Sequence, residues 1–107
     1  MEPLTPAVFH VLLALATEEK HGYAIMHEVE TETKGTVKMG PGTLYGTLKR
    51  LLDAGLIEEA GERRDPEMND ERRRYYRITA AGRAAARAEA QRLHAAVRIA
   101  RARGVLA

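Results

Sequence analysis

The segment 42-GTLYGTLKRL-51 decides how this 107-residue chain folds. Its leucines recur three and four residues apart, which is the spacing of one face of an α-helix. When the helix is projected at about 100° per residue with Leu48 at the centre of the buried face, the other leucines lie within about 60° of it. These are Leu44, Leu51 and Leu52. The segment therefore predicts an amphipathic helix, the third of the chain, which ends at Gly55.

The opposite face of this helix is polar. Three residues point away from the core in the projection and three more lie on its flanks: Thr43, Gly46 and Arg50, then Tyr45, Thr47 and Lys49. Hydroxyls, a cation and a gap at the glycine suit a DNA groove. A glycine inside a helix costs about 1 kcal/mol relative to alanine, and close approach to another backbone is one reason to keep it. Helix periodicity alone leaves an ordinary solvent-exposed face as the alternative.

Two helices are predicted before this one. The first begins at Thr5-Pro6, a typical cap and first residue of a helix, and should run to about Glu18. The second has apolar residues at helical spacing up to about Glu32, with a stop at Gly35.

The chain after Gly55 predicts a β-hairpin and a last helix. Residues 56-LIEE-59 and 74-RYYRI-78 have the composition of strands, and 61–71 that of a polar loop between them. Thr79 caps a final helix whose small and apolar residues are spaced as in a helix-pairing seam. These residues are Ala86, Ala90, Leu93, Val97 and Ala100.

The order helix, helix, helix, hairpin, helix predicts the fold class. We expect a mainly α protein with a small β-hairpin, a winged helix-turn-helix with a C-terminal dimerisation helix. Residues 1–78 would form the DNA-binding domain and residues 79–107 the dimerisation helix. Because the seam has too little partner surface within the chain, we expect it to pair with its copy.

Positive charge is concentrated towards the C-terminus. From Arg72 onward there are ten arginines and one acid, Glu89, although the formal net charge is only +2. Arginine is the usual choice for contacts with phosphates and base edges, so a nucleic-acid partner is the leading hypothesis. A GC-rich genome would also explain the scattered arginines of the tail. The runs 63-RR-64 and 72-RRRYYR-77 are placed on the hairpin to reach phosphates or the minor groove.

Acidic residues partly neutralise the hairpin loop, which favours its base over its tip as the surface that meets DNA. These acids are Asp65, Glu67, Asp70 and Glu71.

Other classes of protein are disfavoured. Without cysteine there is neither a disulfide framework nor a thiolate metal site. The four histidines lack the spacing of metal ligands, and neither a dinucleotide loop nor a nucleophile with a convincing base is visible, so we predict no metal, no cofactor and no enzyme. The apolar run 7–16 has no basic residue before it and is far shorter than the roughly 20 residues that span a bilayer, so we expect a cytoplasmic protein without a membrane partner.

Several segments together resemble the signature of PadR-like regulators. They are residues 4–16, His21-Gly22-Tyr23 with Ile25, the segment 42–51, Gly55-Leu56-Ile57 and Arg73-Arg74-Tyr75-Tyr76-Arg77-Ile78-Thr79. The resemblance implies a dimeric repressor whose third helix reads the major groove and whose wing touches the flanking backbone. Many members have proline where this chain has Gly46, so the local contact at that position departs from the family pattern.

The residues and the resemblance together give a set of predicted sites. We expect the following to contact double-stranded DNA at an inverted-repeat operator: Tyr23, Lys38, Thr43, Tyr45, Gly46, Thr47, Lys49, Arg50, Arg64, Arg72, Arg73 and Arg74. The dimer interface would join the seam to Phe9 and Leu13 of the first helix. The resemblance also implies a small apolar effector at this interface. Phe9, Leu13, Leu93 and Val97 are candidate walls for an apolar or aromatic molecule, although they serve equally well as interface packing.

A protein-interaction module whose basic wing binds an acidic partner is the alternative function. It would require an apolar patch on the outward face of the third helix. The residues there are polar or lack a side chain, which favours DNA.

Overall fold

The computed structural model describes residues 3–64 and 72–107. Its elements in chain order are α1 (Pro6–Ala14), β1 (Lys20–His21), α2 (Gly22–Glu32), α3 (Pro41–Asp53), β2 (Ile57–Arg64), β3 (Arg72–Ile78) and α4 (Ala80–Ala102). The strands form an antiparallel sheet in the order β1-β3-β2. Three helices, a hairpin and a fourth helix confirm the predicted winged-helix architecture, and the role of α4 in dimerisation stays a prediction. No helix in the described ranges is long and apolar enough to cross a membrane.

Side-chain caps begin three of the helices. Thr5 Oγ1 accepts a hydrogen bond from the Val8 N–H at 3.2 Å, and Thr79 Oγ1 accepts one from the Gly82 N–H at 3.0 Å. Both confirm the predicted helix starts. The imidazole of His21 caps α2 in the same way. Each cap satisfies one of the backbone donors that the first turn of a helix leaves without a partner.

Strand β1 was not predicted, and α1 ends at Ala14 rather than near Glu18. Lys20 and His21 pair with Tyr76 and Tyr75 of β3, more than fifty residues away in sequence. A two-residue strand has no periodicity of its own, so only this distant partner defines it. The buried Lys20 Nζ donates to the carbonyl oxygen of Ala14 at 2.5 Å and so satisfies the C-terminal end of α1.

Both strands of the wing are longer than predicted. Strand β2 continues through Arg64, so the loop predicted from Gly61 onward begins later. The register shifts between Glu59 and Glu62, and Gly61 has φ +91°, which only glycine adopts readily. This bulge lets the strand continue past Gly61, a residue type that is typical of turns. The four acids predicted to neutralise the loop lie outside the described residues.

One hydrophobic core joins all the helices and the sheet. It includes the leucines of α3, and the first half of α4 contributes Ala85 and Ala86. Ala86 was assigned to the dimer seam, but it is only 8% exposed and packs within its own chain. The assignment was wrong because the first turns of α4 lie against the domain and only later turns extend past it. Beyond Glu89 every residue of α4 is exposed except Val97 and Ala100, which are half-buried.

Gly82 allows α4 to pack closely against the start of β2. A Cβ atom at this position would lie 2.0 Å from the carbonyl oxygen of Leu56, which itself accepts the Thr79 N–H. We predict that Gly82→Ala lowers the free energy of unfolding by about 3 kcal/mol, because backbone cannot move aside as a flexible side chain would.

Urea denaturation measures this change, and Gly46→Ala is the matched control. A Cβ at Gly46 would meet nothing nearer than Arg50 Nη1 at 3.9 Å. That substitution should raise the free energy of unfolding by about 0.5–1 kcal/mol, the helix preference for alanine. Equal effects of the two alanines would contradict the packing described for Gly82.

Candidate nucleic-acid interface

The outward face of α3 carries most of the predicted contact residues. Thr43, Tyr45, Lys49 and Arg50 are exposed, and Gly46 is half-buried between them. Lys49 pairs with Asp53 one turn later at 3.2 Å, an exposed ion pair that a phosphate could replace. The helix thus presents two hydroxyls and two cations to solvent around a position without a side chain.

Thr47 does not belong to this face. It is only 1% exposed, and its Oγ1 accepts a hydrogen bond from Arg50 Nη2 at 3.3 Å. The projection was centred on Leu48, whereas the buried arc also includes Leu44, Leu51 and Thr47 and so is centred about 50° away. The arc is shifted because α3 contacts α1, α2 and β2 rather than one neighbour. Thr47 therefore helps to orient the Arg50 side chain through this hydrogen bond and does not itself face a ligand.

The start of α2 lies beside α3 and the wing. Tyr23 is 44% exposed, and the guanidinium carbon of Arg73 in β3 lies 5.9 Å from the centre of its ring. The capping His21 stacks edge-on against Tyr75, with ring centres 5.3 Å apart. Because β1 is hydrogen-bonded to β3, the fold fixes Tyr23 relative to the wing. The structure therefore brings together predicted residues from α2, α3 and β3.

Several wing arginines are bound to acids of β2 or of the residue just before β1. Arg77 contacts Glu58 at 2.7 Å and Glu19 at 3.4 Å, and Arg63 contacts the same Glu19 at 2.5 Å. The hydrogen bond from Arg63 is the main cause that holds the pKa of Glu19 below its usual value. Arg63 also lies over the ring of Tyr75, 4.0 Å from its centre. These arginines hold the wing together.

Arg74, a predicted contact residue, lies near acids as well. Its guanidinium is 3.5 Å from Glu59 and 3.8 Å from Glu62. The arginines of β3 are evident in the sequence, but the glutamates opposite them in β2 are recognised only from the register, which shows which residues face each other. The alternation of side chains between the two faces of each strand was the signal that could have revealed these pairs of arginine and glutamate.

The outer end of the wing is different, because like charges face each other there. Arg64 lies opposite Arg72, and Arg63 opposite Arg73. Arg64 and Arg72 are exposed, and Arg72 donates to the Glu62 carbonyl oxygen at 3.3 Å. Directly opposed like charges destabilise a strand pair, and an anion between them removes that repulsion. The outer end of the β2–β3 pairing, rather than the base that the sequence favoured, is therefore the part of the wing suited to a phosphate.

Lys38 lies apart from these three elements, in the segment before α3. It is well exposed and pairs with Glu30 of α2 at 3.6 Å. Its predicted contact with DNA stays a prediction. In residues 3–64 and 72–107 no group of three or more potential metal-ligating side chains was found.

A second site lies where α1 meets α4. A cavity of about 300 Å³ is lined by Leu4, Pro6, Phe9, His10, Glu89, Arg92 and Leu93. Of the predicted effector residues, Phe9 and Leu93 line it, whereas Leu13 and Val97 do not. Leu13 and Leu93 are 41% and 39% exposed.

Glu89 supplies the polar floor of this cavity and was missed as a site residue. Its carboxylate accepts hydrogen bonds from the Leu4 N–H at 3.1 Å and from Arg92 Nε at 3.2 Å. The bond from Arg92 lowers the pKa of Glu89 more than burial raises it. The only acid after Arg72 thus ties the N-terminal segment to α4.

Comparison with protein families found a match over most of the chain. The model described as the Transcriptional regulator PadR-like family matches residues 11–88, from the middle of α1 into α4. The search of curated proteins found no significant match.

Solved structures with the same architecture include three informative ones. A PadR family transcription regulator from Clostridium difficile R20291 is 20% identical, with a TM-score of 0.72 over 91% of this chain and 96% of that one. A PadR-like transcriptional regulator from Bacillus cereus is 21% identical, with a TM-score of 0.72 over 88% and 86%. Bacillus subtilis PadR in complex with operator DNA is 21% identical, with a TM-score of 0.63 over 75% of this chain and 44% of that one. At these identities the likeness shows a shared fold.

Proposed function

Because this chain belongs to the PadR-like family of transcriptional regulators, we propose that it is a homodimeric repressor that binds an inverted-repeat operator and is released by a small effector. The family identifies a regulator rather than an enzyme. One observation carries the DNA-binding proposal: exposed residues of α2, α3 and the wing lie on neighbouring elements and present aromatic rings, hydroxyls and cations together.

The exposed chemistry of α3 supports DNA over a protein partner. Thr43, Lys49 and Arg50 are polar, and Tyr45 carries a hydroxyl, so an apolar docking patch is absent from the outward face of this helix. Tyr45 and Arg50 would read base edges in the major groove, and Arg64 and Arg72 would hold phosphates beside it.

The second half of α4 supports the homodimer. Leu93, Val97 and Ala100 continue the line of residues that the first half of α4 buries, but Leu93 is exposed and Val97 and Ala100 are only half-buried. A second copy would cover this line together with Leu13. Since the first turns of α4 share the core of the domain, the proposed boundary at residue 78 separates functions rather than folding units. The proposed dimerisation surface of α4 begins near Ala90.

The cavity between α1 and α4 is the proposed effector site. Phe9 and Leu93 would contact an apolar or aromatic body, and Arg92 and His10 would meet a polar group. Because the cavity adjoins the seam, a ligand there could alter how two copies pair and hence the spacing of their recognition helices. We place this regulation in the cytoplasm.

Selection of genomic fragments with the purified protein, followed by footprinting, tests the function. A twofold dimer presents two identical α3 helices, so bound sites should be inverted repeats with half-site centres about 10 bp apart or a multiple of it. Two protected major grooves are expected on each site. Recovery of unrelated fragments, or protection of one asymmetric half-site, would contradict the proposal.

A further inference from the structure

Gly22 is the first residue of α2, and its backbone does not require glycine. Its φ is not positive, in contrast to Gly35, Gly55, Gly61 and Gly104. Glycine also lowers helix stability relative to alanine. The reason for glycine at this position must therefore lie in the space that its missing side chain leaves.

That space is occupied by one side chain of α3. A Cβ atom at Gly22 would lie 2.9 Å from Oη, 3.1 Å from Cζ and 3.2 Å from Cε1 of Tyr45. All three atoms belong to the same phenol ring, and the first distance is shorter than real contacts of a Cβ atom. The Tyr45 ring thus rests directly on the backbone of Gly22, which is buried beneath it.

The other glycines have no comparable role. Gly40 and Gly42 have open space where a side chain would be, and a side chain at Gly82 would meet mainly the backbone of Leu56. Only at Gly22 does a missing side chain make room for an exposed residue of the candidate interface.

The contact matters because the Tyr45 side chain is 52% exposed. A ring that is half in solvent would otherwise sample several rotamers. The contact with Gly22 therefore holds the ring against the start of α2 before any ligand arrives.

We propose that Gly22 is a positioning residue for specificity: it seats the Tyr45 ring in the orientation that reads the operator. This inference rests on the proposed function, because it assigns Tyr45 to base recognition. A group held in its binding orientation loses less conformational freedom on binding and discriminates more sharply between sequences.

A double-mutant cycle tests whether Gly22 acts through Tyr45. Operator and random duplexes are titrated by fluorescence anisotropy with the wild type, Gly22→Ala, Tyr45→Ala and the double variant. We expect Gly22→Ala to lower the ratio of the two affinities about tenfold, and Tyr45→Ala to lower it at least as much. Because Gly22 acts through Tyr45, the double variant should be no worse than Tyr45→Ala alone.

Two further measurements separate positioning from folding. Gly22→Ala should not lower the free energy of unfolding, since alanine is favoured in a helix and an exposed ring can move away. In the Gly22→Ala background, Tyr45→Phe removes the hydroxyl at the closest contact, so the ring can return to its position and restore part of the lost ratio through its own contact with the bases.

The outcomes distinguish the two hypotheses. If Tyr45→Ala lowers the ratio and Gly22→Ala does not, or if the two losses simply add, the positioning role of Gly22 is refuted and the proposed function stands. If Tyr45→Ala leaves the ratio unchanged, Tyr45 does not read bases. Both the positioning role of Gly22 and that part of the proposed function then fail.

Discussion

Replacing Leu93 by glutamate should convert the protein into a monomer that has lost at least a hundredfold in operator affinity. Leu93 lies at the point where α4 leaves its own domain, 39% exposed and in line with Val97 and Ala100. In a twofold dimer this side chain would be covered by the second copy. A carboxylate there would be buried without a partner in both copies at once, which costs several kcal/mol for each charge.

Sedimentation equilibrium measures the dimer, and anisotropy on operator DNA measures the consequence. A monomer keeps one α3 helix and loses the second half-site, so its residual affinity should approach that for random DNA. Because Leu93 is partly exposed within its own chain, the monomer should keep its fold, which circular dichroism can verify.

Ile99→Glu is the matched control on the same helix. Ile99 is 55% exposed and lies about 120° around α4 from Leu93, away from the proposed seam. The same charge at this position should leave the dimer and its operator affinity nearly unchanged. A wild-type protein that is monomeric at high micromolar concentration, or a stronger effect of Ile99→Glu, would contradict the seam.

Sequence periodicity predicted the long elements well because each contains its own signal. The leucines of α3 and the caps at Thr5 and Thr79 depend on neighbours within one or two helical turns. Strand β1 was not predictable in this way, since Lys20 becomes a strand residue only through its pairing with Tyr76.

The candidate site was predicted by residue type more accurately than by environment. Thr47 and Ala86 were placed on surfaces by spacing, but contacts from several elements bury both. The glutamates that engage Arg74 and Arg77 were also invisible without the strand register. Composition identifies which side chains can meet DNA, whereas packing decides which of them are available.

Residues that read the operator should respond to substitution by alanine differently from residues that hold its phosphates. Alanine at Thr43, Tyr45 or Arg50 should lower operator affinity far more than random-DNA affinity, and each lost base contact should remove about 1–3 kcal/mol of discrimination. Arg50 is oriented by its hydrogen bond to the buried Thr47, which favours a fixed direction for its guanidinium.

Alanine at Arg64 or Arg72 should act in a different way. These exposed arginines face each other at the outer end of the wing, where a phosphate would relieve their repulsion. Their loss should weaken operator and random DNA about equally and reduce the slope of log K against log salt by about two units per dimer, roughly one for each copy. Anisotropy titrations at several salt concentrations give both quantities.

Arg77→Ala is the control for this assignment, because Arg77 has the same charge on the same strand but already binds Glu58 and Glu19. A guanidinium held by two carboxylates contributes little to phosphate binding, so its removal should leave the salt slope unchanged. If Arg77 altered the slope as much as Arg72, net charge rather than local pairing would govern the wing. If alanine at Tyr45 weakened operator and random DNA equally, α3 would bind backbone, and specificity would have to come from the shape of the DNA.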